Sequence, residues 1–220
     1  MAKSFSRILT PHAGKGQSPC WKKFAATGKH DNKEGMPFRT RRSIKPAQMD
    51  ASRTLAPELL KEILTDAHWA PCHGLTQPWR FHVFTGDGRL RLAEALQDLY
   101  RKLTPASDFK PEKWEKFPVQ IGMAPVVIAL CVNLESEFPE WEEIAATACA
   151  AQNIQLSAHM RGIGSYWSTP EVACHADFLA WLGEPTEGKA LGLLYLGYPK
   201  TDALPHSVRK PLATRVTYHP

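Results

Sequence analysis

Residues 124–132, APVVIALCV, form an apolar run with no charged side chain. A strand with one wet face alternates apolar and polar residues. A continuous run of this length reads instead as a strand buried on both faces. KALGLLYLGYP, residues 189–199, reads as a second central strand. The rest of the chain supplies helices to cover such strands. PELLKEILTDAHWA sets Leu59, Leu60, Ile63, Leu64 and Ala67 on one helical face, with Pro57 suited to its first turn and Pro71 after its end. GRLRLAEALQDLYRKL turns Leu92, Leu96 and Leu99 inward. PEWEEIAATACAAQNIQLSAHMRG is the longest helical pattern, and its alanine-rich middle permits close packing. PEVACHADFLAWLG reads as one further helix between Pro170 and Gly183.

WRFHVFT, beginning at Trp79, alternates as a half-buried strand does, and its first residue reads as a core aromatic. GSYWST is a short extended piece, and TRVTYH near the C-terminus has the β propensity to pair with a sheet edge. Residues 105–118, with three prolines, read as a long cover loop with a single helical turn. Strands and helices do not alternate evenly. The pattern predicts an α+β fold, a small mixed and mainly antiparallel sheet with helices on both faces.

Charge divides the chain. Residues 1–40 hold eight Lys/Arg and two acids, a net +6, and residues 41–220 carry −1. The first 40 residues read as a basic, disordered N-terminal extension and residues 41–220 as the folded domain. The extension weakly resembles a transit peptide, and Met36 is an alternative start. The body total gives no support for a nucleic-acid-binding face. No apolar run reaches membrane-spanning length. The five cysteines show no paired framework and read as buried free thiols in a chain made for a reducing compartment, the cytoplasm.

Three chemistries compete for HWAPCHGLTQPW, residues 68–79. Metal binding lacks ligand spacing: there is no Cys-x-x-Cys or His-x-x-x-His, and the adjacent Cys72 and His73 point apart in extended backbone. A thiol nucleophile at Cys72 lacks an acidic partner or local signature. The third reading is a loop shaped for a flat ligand, stiffened by Pro71 and Pro78 and turned at Gly74. Upstream, RTRRSIK gathers Arg39, Arg41, Arg42, Ser43 and Lys45 within seven residues. A solvated basic run is the bland reading. Guanidinium forks with a hydroxyl also suit a phosphate. Neither a Walker sequence nor G-x-G-x-x-G is present.

RRSIK, then APCHGLTQPWRF, GIGSYWSTP, GLLYLGYP and RKPL, in this order over residues 41–218, resemble the nitroreductase family of flavin enzymes. The resemblance implies an intertwined homodimer with FMN at the subunit interface. It implies FMN-dependent transfer of hydride from NADH or NADPH to an electron-poor small-molecule acceptor such as a nitroaromatic or quinone, by a ping-pong cycle. Carried onto this sequence, Arg41, Arg42 and Ser43 would hold the phosphate and ribityl chain. Lys45 would lie at the N1/O2 edge of the ring as electrostatic support, with no protein acid or base required. His73 and Gln77 would come from the partner subunit, Trp167, Ser168 and Thr169 would line the ring, and Arg209 would close on the phosphate. The family pattern has Ser-Ser and Asn where this chain has Cys72-His73 and Leu75. Two alternatives stand beside this reading, a flavin-storage or sensing module with little turnover and a nucleic-acid binder acting through residues 1–40.

Overall fold

The computed structural model describes residues 36–134 and 137–219. A short helix α1 (Pro37–Thr40) leads into a 3-10 turn at Pro46–Gln48 and helix α2 (Pro57–His68). Strand β1 (Trp79–Phe84), helices α3 (Gly88–Leu103) and α4 (Pro111–Gly122), strand β2 (Val126–Val132) and the long helix α5 (Glu140–Met160) follow. Strand β3 (Gly164–Ser168), helix α6 (Ala176–Trp181) and strand β4 (Lys189–Gly197) complete the regular structure. Among the described residues the first regular element begins at Pro37, four residues before the composition change at Arg41. Residues 1–35 of the basic extension, with Cys20, lie outside the described residues.

The sheet runs β1-β2-β4-β3, antiparallel at every pairing. One isolated parallel bridge, Ser43 to Ser165, joins the RRSIK segment to its edge. The unbroken apolar run of β2 follows from cover on both faces. Val127, Ala129 and Cys131 pack with Leu92, Leu96, Ile121 and Phe178 from α3, α4 and α6. Val126, Ile128 and Leu130 pack with Ile63 and Ala67 of α2 and Ala151, Ile154 and Ala158 of α5. Each fully buried Ile or Leu in these layers contributes about 1.5–3 kcal/mol relative to exposure. Trp79 is buried, as its place at the head of β1 predicts.

Four expectations are corrected. Residues 105–118 are not mainly loop, because α4 occupies Pro111–Gly122 with Pro111 at its start. Pro118 removes a bond that the Trp114 carbonyl would accept inside the helix. Gln97 Nε2 donates to that carbonyl instead at 3.1 Å, so the helix tolerates the ring. The segment after Pro170 is not one helix. A 3-10 turn, Glu171–Cys174, breaks at extended His175, whose Nδ1 accepts from the Asp177 N–H at 3.1 Å and caps α6. TRVTYH forms no strand, and residues 215–219 are exposed without regular structure. Of the described cysteines only Cys131 is buried, its thiol pushed up to about 12 chiefly by burial. Cys72 is half-buried, and Cys149 and Cys174 are exposed.

Candidate functional site

Two groups of predicted residues sit at opposite ends of α5. At its C-terminal end, Ile44 N–H donates to the Ser165 carbonyl at 2.9 Å, stitching RRSIK along edge strand β3. This lays Arg41 and Arg42 into a cavity of about 270 Å³ that Arg53, His159, Ser165 and Asp202 also line. His159 Nε2 lies 2.8 Å from Thr40 Oγ1. Arg42 Nη1 donates to the Arg39 carbonyl at 2.6 Å and the Arg41 carbonyl at 2.9 Å, which fixes its fork.

The cavity is unbalanced. Arg41 Nη1 and Arg42 Nε are buried without a hydrogen-bond partner, and so is Ser165 Oγ. Among the described residues no carboxylate pairs with Arg41, Arg42 or Arg209. Burial first, then Arg209 and Arg42, hold the Arg41 guanidinium below the ordinary arginine value. Arg209 is therefore close enough to act on Arg41, although it lies 168 positions along the chain. A buried polar group without a partner is costly, and two cations facing each other add repulsion. An oxyanion would relieve both.

At the N-terminal end of α5, the loop His73–Gln77 is clamped by acids. His73 Nδ1 lies 2.7 Å from Glu142 Oε2, and its ring packs at a 32° tilt against Phe138, 3.9 Å between centroids. Thr76 Oγ1 donates to Glu143 Oε2 at 2.9 Å. The backbone is tightly turned, with positive φ at Gly74 (55°), Leu75 (57°) and Gln77 (48°). Gly74 is obligatory twice over, since a Cβ there would lie 2.5 Å from the Phe138 ring. Gln77 N–H donates to Cys72 Sγ at 3.4 Å, so this thiol has a structural task in the turn. Gln77 also borders an open groove of about 640 Å³ between α2 and edge strand β1, lined by Leu60, Leu64, Trp79 and Phe81.

Glu142 and His159 are 17 residues apart on one helix. At 1.5 Å per residue that is about 25 Å. One chain therefore does not bring His73 and Gln77 together with Arg41 and Arg42. Trp167 and Ser168 lie on β3, with Trp167 Nε1 donating to the Leu191 carbonyl at 2.9 Å. Gly192 (φ 104°) permits this, because a Cβ there would meet the Ser168 carbonyl at 2.4 Å and crowd Thr169. Ser43 and Lys45 are exposed on the segment beside β3. Sequence reasoning missed His159 and Arg53. The first is a histidine in the last turn of a helix, where a cation is favoured. The second stacks its guanidinium 3.6 Å from the centre of the Tyr198 ring, a contact only the fold reveals.

A four-stranded antiparallel sheet between helical layers, with a paired-arginine cavity against its edge strand, defines a candidate anion-binding α+β fold. Residues 38–198 match the Nitroreductase family, and the chain belongs to that family. It is 30% identical over 158 residues to YdjA of Escherichia coli (strain K12), whose name places it provisionally among NAD(P)H nitroreductases; the match covers 70% of this chain and 85% of YdjA. The solved structure of a nitroreductase-like family protein from Bacillus cereus superposes with a TM-score of 0.70 at 26% identity, covering 83% of this chain and 94% of that one. The FMN-dependent nitroreductase NfnB from Mycobacterium smegmatis, solved in complex with NADPH, shares the fold at a TM-score of 0.66 and 19% identity, over 84% of this chain and 96% of NfnB.

Proposed function

We propose that the protein is an FMN-dependent oxidoreductase that takes hydride from NADH or NADPH and reduces an electron-poor small molecule, a nitroaromatic or a quinone. The observation that carries this reading is the pair of buried, unpartnered guanidinium nitrogens on Arg41 and Arg42, which among the described residues form no ion pair with a carboxylate, although Asp202 lines the same cavity. That donor set fits a single phosphate monoester. Arg41 and Arg42 would hold the phosphate by charge-assisted bonds, with Arg209 adding charge from the C-terminal segment and the Ser43 hydroxyl a donor. When bound, FMN supplies hydride acceptance at its ring, with donor and acceptor occupying the site in turn. Lys45 would set a fixed cation beside the ring edge where negative charge collects on reduction. Trp167, Ser168 and Thr169 would form the wall behind the ring.

The two ends of α5 supply the reason to build the site from two chains. His73 and Gln77 are out of reach of a compact ligand held at Arg41, so they serve a flavin held by a partner copy. The apolar groove beside β1 and the exposed Leu204, Val208, Leu212 and Tyr218 of the C-terminal segment are surfaces a homodimer would cover. Among the described residues no helix is long and apolar enough to cross a membrane. The exposed free thiols suit a reducing compartment, and we place the enzyme in the cytoplasm.

The direct test is the purified protein's own flavin. A yellow protein that releases FMN, bleaches anaerobically on NADH or NADPH and recovers colour with a nitroaromatic or quinone is the expected result. Release of FAD, or no flavin after reconstitution, overturns the reading. Bound FMN that neither nicotinamide bleaches would make the protein a flavin store.

A further inference from the structure

His159 stands in the arginine cavity without a role in the reading above. It projects from the last turn of α5, where the helix dipole favours a cation. Its ring is held by Thr40 Oγ1 at Nε2, 2.8 Å away. We propose that His159 is a proton-linked member of the phosphate site, taking up a proton from solvent when a phosphate monoester enters beside Arg41 and Arg42. The proposal rests on the reading that this cavity receives the FMN phosphate.

The charges facing His159 decide its state. Arg41 and Arg42 share its cavity, with Arg53 and the carboxylate of Asp202 also on the wall. Arg39 lies on α1. On the far side, Arg161 is engaged by Glu62 at 3.4 Å and Asp66 at 3.1 Å of α2. Burial first, then the Arg41 and Arg42 guanidiniums, hold the imidazole below the ordinary histidine value. Without an anion, then, the surroundings favour the neutral ring. A phosphate carries about −1.5 to −2 near neutral pH. Placed against the two guanidiniums, it cancels the repulsion that keeps the proton away, and the helix terminus then favours the charged ring. Protonated Nε2 can only donate, so the Thr40 hydroxyl becomes its acceptor. The site gains a further cation only when it is filled.

The linkage has a sign. His159 is more basic in the complex than in the free protein, so FMN binding weakens as pH rises through the value of the complex. One proton taken up limits the slope to tenfold in Kd per pH unit. The second phosphate ionisation, near pH 6, works in the opposite direction at lower pH. The useful window is therefore about pH 6.5 to 8.

The experiment is calorimetric titration of the flavin-free full chain with FMN and with riboflavin. Two phosphate-free buffers of different ionisation enthalpy are used, together with His159→Gln. Wild type should take up a substantial fraction of one proton with FMN and none with riboflavin. His159→Gln should bind FMN more weakly, with no uptake and a flat pH profile above pH 6.5. Equal affinity for FMN and riboflavin would remove the phosphate from the cavity and overturn the FMN reading along with this one. FMN preference without proton uptake, or equal uptake in His159→Gln, would leave the FMN site standing and overturn this inference alone. Should the variant not fold, histidine ring ¹⁵N shifts of wild type at pH 7 decide the question. One ring converting to the charged form with FMN and not with riboflavin supports the assignment, and no conversion ends it.

Discussion

The two ends of α5 carry opposite kinds of polar chemistry. In the first turn each acid has a partner: Glu140 pairs with Lys189, Glu142 with His73 and Glu143 with Thr76. At the last turn Arg41, Arg42 and His159 crowd one cavity with two guanidinium nitrogens unpartnered. Both arrangements obey the helix dipole, acids at the N-terminus and cations at the C-terminus. They differ in completeness. A closed network holds backbone in place, here a loop with three positive-φ residues. An open one stores unfavourable charge that only a ligand relieves. On the proposed function, the closed end holds the loop in shape and the open end is the one that would bind.

The largest expected effect tests the open end. If Arg41 holds the phosphate as proposed, Arg41→Ala removes a charge-assisted bond worth about 1.5–3 kcal/mol. FMN affinity should fall on the order of 10- to 150-fold by flavin-fluorescence titration. The flavin-free protein should melt no lower than wild type, since the variant also removes repulsion. Weakened folding with unchanged FMN affinity would make Arg41 a structural residue and erase the contrast between the two ends.

Joining the two ends across a dimer is the next test. A variant disabled at Arg41 and one disabled at both His73 and Gln77 should each be nearly inactive alone. Unfolded and refolded together, they form mixed dimers in which one site carries both lesions and the other none. Recovery up to roughly a quarter of wild-type activity is expected for random pairing with two sites per symmetric dimer. No recovery, with mixed dimers confirmed by mass, would place the whole site within one chain.

The closed end should respond in stability. Glu143 is only 2% exposed and accepts from Thr76. Glu143→Ala leaves the Thr76 hydroxyl without this acceptor and opens a cavity beneath the loop, at a cost of about 1–3 kcal/mol. For a chain of this size that is a melting-temperature drop of about 2–4 °C per kcal/mol. Inorganic phosphate, which probes only the arginine cavity, should bind as before. A fall in phosphate affinity equal to that of Arg41→Ala would show the two ends to be one cooperative unit.

Much of this architecture was readable from residue order because local signals agreed with the fold. The doubly apolar β2 and the Pro57 start of α2 each report an element that packs as its own sequence prefers, whereas β1 forms where its alternation predicts but leaves Val83 exposed and His82 half-buried. Where reading failed, a distant group overrode a local one. Pro118 breaks most helices, and α4 survives because Gln97 on α3 takes the orphaned carbonyl. A helical pattern ran through His175, yet that residue caps α6 with its own ring. The arginines were visible because they are contiguous. His159 was not, because the last turn of α5 and the RRSIK segment meet only when the sheet edge brings them together.

The smallest predicted effect lies within the closed end and separates strain held for the fold from strain held for a partner. Leu75 adopts φ 57° while remaining 79% exposed. A non-glycine residue in the left-handed region costs roughly 1–2 kcal/mol. Glycine removes that cost but gives back roughly 0.5–1 kcal/mol in unfolded-chain entropy. Leu75→Gly should therefore raise stability by about 1 kcal/mol or less in dilute protein, where no partner covers the side chain. Gly74→Ala next to it should do the reverse, because its Cβ would enter the Phe138 ring. If the loop faces a second copy, Leu75→Gly also deletes apolar contact and shifts the monomer–dimer equilibrium toward monomer. A single variant would then stabilise the chain and weaken the assembly, readable by thermal melts against sedimentation over a concentration series. A melting temperature that falls at low concentration would mean Leu75 packs against its own chain. An unchanged dimer constant would place the loop away from the partner, and His73 and Gln77 with it.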